Sequence, residues 1–358
     1  MAHQLSYNTL TGRHEMAYAG DTPWHALGTR VDGLQTAAAM LSAAGLDWHV
    51  ELVPLYVDAR RGPAEHVDTP PTRQTVPAYY ATRRVDSGAI LGVVSDRYRV
   101  IQNREAGDVL DALVIDGGAH VEVAGALGQG ERAWMLAHVP ADFEVARGDT
   151  VKTYVLLAWG HDGKHGLAAK LTPVRVVCAN TLSMALGDKW SKTADVYIRH
   201  SGDAKVNLEQ AQRALGLVKR QAETTAAAYQ LLAATRLADP RSYFAEVWPA
   251  PERPADHLLG SDYDEKLAKW DAHQREVLHL YEGRGAGAAL PGVAGTVWGG
   301  YNAATEWVDH VYPVLQSGRV STVRQQSVLF GAYADTKSRA LAVGLELAGA
   351  GSAAGGAA

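Results

Sequence analysis

The stretch VKTYVLLAWGHDGKHGLAAKLTPVRVVCANTLSMALG, from Val151 to Gly187, decides how the rest of the chain is read. Val151 to Trp159 is a nearly continuous apolar run of strand length, and a second such run extends through Lys170. Between them stand His161, Asp162, Gly163, Lys164 and His165. The flanking Gly160 and Gly166, together with Gly163, predict a hairpin turn at this point rather than a helix. Pro173, Arg175 and Cys178 follow, and Asn180 or Thr181 is positioned to cap a helix.

Upstream, the pattern is one of short strands and turns. Residues 1 to 33 read as an irregular lead-in anchored by Trp24, with His25 bonded to nearby backbone. A short alanine-rich helix is expected over Thr36 to Ala44, capped by Gln35 or Thr36, and a strand over Trp48 to Val57. Pro77 to Arg84 and Ala89 to Ser95 form a hairpin through Asp86-Ser87-Gly88. Asn103 is the expected N-cap of a helix ending at Gly117-Gly118, and strands follow over His120 to Leu127 and Arg132 to Val139.

From Lys205 onward the period changes from two to between three and four. Leu208, Leu215, Val218, Tyr229 and Leu232 lie on one helical seam, and Tyr263, Trp270, Val277 and Tyr281 on a second. Trp298, Tyr301, Thr305 and Val308 form a third, and Val323, Phe330, Leu341 and Leu345 a fourth. The expected fold class is therefore α+β: an antiparallel, β-rich half over residues 1–200, a helical region over 201–348, and a disordered Gly/Ala tail over 349–358.

The chain has 358 residues, 47% of them apolar and 20% charged, which excludes a disordered protein. Its net charge of -5 excludes binding nucleic acid by bulk charge but not by a local groove. Arg147 to Arg199 holds eight Lys or Arg against four Asp, a net +4. A single cysteine points to a reducing compartment, and neither a secretory leader nor a membrane span is expected.

Three constellations carry chemistry. His161, Asp162 and His165 have the residue types of a metal site, but a hairpin tip gives poor support for one. Cys178 beside Arg175 and a helix start could be a nucleophile, yet Val176, Val177 and Ala179 mark it as a core residue. No catalytic set, metal site or cofactor is expected on these grounds. The third constellation is cationic and aromatic: Arg83, Arg84, Arg97, Arg99, Lys152, Lys170 and Arg175 to meet phosphates, and Tyr79, Tyr98 and Trp159 to stack on bases.

Four segments also carry a family resemblance: Met16 to Gly28 (MAYAGDTPWHALG), the HDG turn with LTPVRVVCANTL, Ile198-Arg199-His200, and GTVWGGYNAATEWVDH from Gly295. Together they resemble the phage/plasmid-like family, an uncharacterised family of actinobacterial phages, plasmids and transferred regions. The resemblance implies a cytoplasmic protein of a mobile element. More distantly, the element order is similar to single-strand annealing recombinases, which implies a non-enzymatic, homo-oligomeric binder of single-stranded DNA. The alternatives are a metal- or Cys-dependent enzyme or counter-defence factor, and a structural or protein-interaction module.

Overall fold

The computed structural model describes residues 5–19, 27–59, 72–175, 196–200, 218–254, 261–311 and 332–349. The expectations for Trp24, His25, Cys178, Asn180, the seam before Val218 and the seam from Val323 to Phe330 lie outside the described residues. Strands dominate up to Ile198 and helices from Val218 onward, so the protein is α+β. Among the described residues, no helix is long and apolar enough to cross a membrane.

Two compact units can be distinguished, and neither is one continuous piece of chain. The first takes Met1–Pro140, Val155–Lys170 and Trp190–Leu217; the second takes Ala141–Tyr154, Leu171–Lys189 and Val218–Ala358.

The first unit begins with β1 (Tyr7–Asn8), β2 (Arg13–His14), β3 (Met16–Ala19) and β4 (Thr29–Val31), so part of the expected irregular lead-in is strand. Apolar residues of β3 are buried, and it pairs parallel with β4 and antiparallel with β8 (His120–Leu127). With β9 (Arg132–Ala146), β10 (Asp149–Gly160), β11 (Leu167–Arg175) and β12 (Val196–Ile198), these strands form a seven-stranded sheet in the order β12-β11-β10-β9-β8-β3-β4. The outer part of the β9–β10 hairpin, Ala141–Tyr154, belongs to the second unit.

A separate three-stranded sheet holds β5 (Val50–Ala59), β6 (Thr72–Arg84) and β7 (Ile90–Ser95). The expected β6–β7 hairpin closes through Gly88, whose N–H donates to Arg84 O at 2.9 Å. Helix α1 (Ala37–Ala43) is capped by Thr36, whose Oγ1 accepts from Ala39 N at 3.2 Å. It packs on α2 (Asn103–Gly117) and on β8 and β3, burying Met40 and Leu41.

The N-cap of α2 is Gln102 rather than Asn103. The Glu105 carboxylate accepts from Gln102 N at 2.8 Å, and the Gln102 amide pairs with Val50 N and O. Released from capping, Asn103 turns its side chain into the core, where it is buried.

In the second unit, α3 (Val218–Ala234), α4 (Pro240–Val247), α5 (Ser261–His279), α6 (Val297–Glu306) and α7 (Ala332–Leu347) surround one aromatic core. Tyr229, Val277, Trp298, Tyr301 and Val308, all read as seam residues, are buried there. The Trp298 indole donates to the buried Asp149 carboxylate at 2.7 Å, and Tyr243 donates to Ala340 O at 2.8 Å. Helix α4 was not anticipated. At eight residues it is too short for a periodic signal, and its mark is Asp239-Pro240, where the aspartate accepts from Arg241 N and Ser242 N.

Candidate functional site

The β10–β11 turn is exposed at Gly163 and Lys164 but buried at its start. His161 is fully buried, and its Nε2 lies 2.9 Å from Asn103 Oδ1, which also accepts from Trp159 Nε1 at 2.8 Å. An amide oxygen can only accept, so His161 carries its proton on Nε2. Asn103 Nδ2 donates to Leu46 O at 2.9 Å, tying α2 to the chain before β5. Trp159, expected to stack on bases, is thereby a core residue with no exposed face. His161 does not join Asp162 and His165 in a metal-ligand cluster: its Nε2 is on Asn103, while Asp162 accepts from the backbone of Lys164 and His165 and pairs with His165 Nδ1 at 2.7 Å. Burial disfavours the Asp162 charge, but the His165 side chain and these backbone bonds outweigh it and hold its pKa below the ordinary carboxylate range.

Burial, with smaller contributions from the charges of His200 and Arg84, lowers the His161 pKa to about 3. An unfolded histidine protonates near 6.5, so below that pH the unfolded chain binds one more proton than the folded one. The resulting stability is complete above about pH 6.5 and declines by about 1.4 kcal/mol per pH unit as the pH falls. Urea midpoints measured between pH 7 and 4 should show this decline, and His161→Gln should flatten it by one proton. An unchanged slope in that variant would assign the titration elsewhere.

Arg84 is likewise not a phosphate contact. Its guanidinium is buried and uses all five N–H groups: two on Glu15, two on Asp86 (Nε at 2.7 Å, Nη2 at 2.8 Å) and one on Gln129 O at 3.1 Å. It also lies over the Trp48 ring at 4.2 Å. Burial opposes its charge, but the two carboxylates prevail and raise its pKa above the ordinary arginine value.

The remaining candidates separate into groups. Arg83 is exposed and paired with Glu51 through Nε at 2.8 Å. Arg99 is exposed, Lys170 is half-buried in the first unit, and Lys152 is half-buried in the second. The backbone of Arg175 continues β11, and its side chain lies outside the described residues.

Arg97 and Tyr98 enter a cleft of about 400 Å³ in the first unit, comparable with small-ligand sites. The end of β7 forms one wall, the turn Gly163 to Gly166 another, and Tyr197, Arg199 and His200 a third. Two glycines permit the walls to approach. Gly163 has φ +76, and a Cβ on Gly92 would lie 2.5 Å from Asp162 O.

Tyr98 and His200 stack at 4.6 Å to make an aromatic floor, so one face of Tyr98 is already occupied. The His200 ring sits between two acceptors, Arg99 O at 2.9 Å from Nδ1 and His165 O at 3.1 Å from Nε2. Burial lowers the His200 pKa against these carbonyls, which favour the charged form. Arg97, Lys164 and Arg199 are exposed at this cleft, and among the described residues no carboxylate lies within 4.0 Å of their charged groups.

Lys164, Tyr197, Arg199 and His200 were absent from the sequence-derived set. Alternation did carry a signal, because Tyr197 and Arg199 are two apart on and just beyond a strand and so share a face.

The fold and cleft thus define an α+β protein with a basic, aromatic-floored surface depression. A family model described as a domain of unknown function, DUF932, matches residues 90–336, more than half of the chain, and the chain belongs to that family. The matched range contains every residue that lines the cleft, whereas Tyr79, Arg83 and Arg84 precede it. No curated protein and no solved structure matches the chain.

Proposed function

We propose that this protein binds single-stranded DNA in the recombination or replication of a phage or plasmid, as a non-enzymatic homo-oligomer, with Arg97, Lys164 and Arg199 contacting phosphates. What carries this reading is that these three exposed cations surround one cleft with no carboxylate partner among the described residues. Basic grooves flanked by aromatic faces hold single strands in this way. A stacking face stands beside the cleft: Tyr79 is 52% exposed and pairs in register with Ser95, which lines it. Because the chain as a whole is acidic, the attraction is local and screened readily by salt.

Fluorescence polarisation with a labelled oligo-dT strand tests the proposal. Each phosphate contact contributes about 0.7 to the slope of log affinity against log salt, so combined alanine substitution of Arg97, Lys164 and Arg199 should flatten that slope by about 2. Arg83→Ala, which removes a cation already paired with Glu51, should leave it unchanged. Absence of binding at low salt, or an unaltered slope in the triple variant, would overturn the proposal.

A further inference from the structure

His120 and Glu122 stand two residues apart on β8, and alternate residues of a strand project to the same side. His138 is the register partner of His120 on β9, and the ladder is irregular between Val121 and Val123, beside Glu122. His120 Nε2 lies 3.2 Å from Glu122 Oε1, and the two imidazole rings are 5.1 Å apart at 59°. One ligand atom from each of the three side chains lies within 4.8 Å of the other two.

We propose that His120, Glu122 and His138 bind one divalent transition-metal ion of the zinc class. Metal–ligand bonds of about 2.0–2.2 Å in a tetrahedral site put ligand atoms roughly 3.4 Å apart. The His120–Glu122 pair already has that separation, and side-chain rotation of at most about 1.4 Å brings in the third. Two imidazoles and one carboxylate suit zinc and its first-row neighbours, whereas magnesium and calcium require mostly oxygen ligands. The supporting strands are interior to the seven-stranded sheet, with β3 beyond one and β10 beyond the other, so the ligand backbone is held on both sides.

All three side chains are half-buried, so the cluster is within reach of solvent. Three protein ligands and an open position are the pattern of a metal that acts on a bound molecule rather than one that only staples a fold. This site is separate from the cleft residues and does not depend on DNA binding.

The test uses the full chain, stripped with a chelator, dialysed and titrated with Zn²⁺ by calorimetry and with Co²⁺ by visible absorption. One Zn²⁺ per chain is expected, together with cobalt d–d bands of a low-coordinate nitrogen/oxygen site. His120→Asn, Glu122→Gln and His138→Asn should each weaken Zn²⁺ binding by more than about 100-fold, since loss of a mere outer-shell partner already costs about 10–100-fold. Histidine-selective NMR on the unaltered protein provides a measurement independent of variant folding: two of the fourteen imidazoles should shift on addition of Zn²⁺. Either of two results would overturn the proposal: no saturable Zn²⁺ binding, or one equivalent retained by a folded His120→Asn/His138→Asn double variant.

Discussion

Arg84→Ala is expected to destabilise the protein by about 3–5 kcal/mol, because it leaves the buried Glu15 carboxylate without its bidentate partner. Most of that cost comes from the stranded charge rather than from the worth of the ion pair itself. A second substitution sharpens the test. Removing both charges with Arg84→Met and Glu15→Leu should recover most of the loss, since well-packed apolar side chains can replace a buried pair at little net cost. Asp86 is about one-third exposed and can hydrate in that background. Urea unfolding of the wild type, Arg84→Met, Glu15→Leu and the double variant provides the cycle, with Arg84→Ala measured beside it. A double variant no more stable than Arg84→Ala would show that the five-donor geometry of the guanidinium, rather than relief of the Glu15 charge, dominates. Arg84→Lys should also be costly, because an ammonium cannot make two fork contacts at once.

The second large effect is at Asn103. Asn103→Ala removes the acceptor of the Trp159 indole and the His161 imidazole together with the donor to Leu46 O. Each of these three buried groups left unpaired costs about 1–3 kcal/mol, so a loss on the order of 3–9 kcal/mol is expected. Asn103→Asp offers a distinguishing comparison. It keeps the acceptor for both rings but loses the Nδ2–H donor and introduces a buried carboxylate, so its deficit should shrink as the pH falls and the acid becomes neutral. A pH-independent Asn103→Asp deficit would indicate that the site is open enough to solvate the charge.

Much of the secondary structure was legible because it was carried by local rules. The β6–β7 hairpin, the glycine stop after α2 and the helical seams at Tyr229, Val277 and Trp298 all follow from turn chemistry or periodicity. Function was less legible because cationic and aromatic residue types are shared by surfaces and cores. Arg83 and Arg84 are adjacent in sequence, yet strand alternation sends one to solvent with Glu51 and the other to the interior with Glu15. No local pattern states that Glu15, 69 positions away, will be waiting. Trp159 and Tyr98 illustrate the same limit, since burial is decided by which long-range partners arrive. The three walls of the cleft and the cross-strand approach of His138 to His120 are likewise products of tertiary pairing. Only the His-Val-Glu spacing within β8 was available beforehand, and its meaning depends on the register of β9.

The alternation of the chain between its two units also sets an order of events during synthesis. Ala141–Tyr154 leaves the ribosome before Val155–Lys170, but among the described residues the helices of its own unit begin at Val218. The first unit, for its part, lacks its edge strand β12 and the His200 wall until those residues have emerged. The second unit therefore cannot be completed until the whole of the first has been made, whereas every residue of the first has been made by Leu217. A nascent chain arrested near residue 170 would hold the β9–β10 hairpin with part of its cover missing. Such a chain is the species on which a holdase chaperone would act, and expression of residues 1–170 alone should yield aggregation-prone protein.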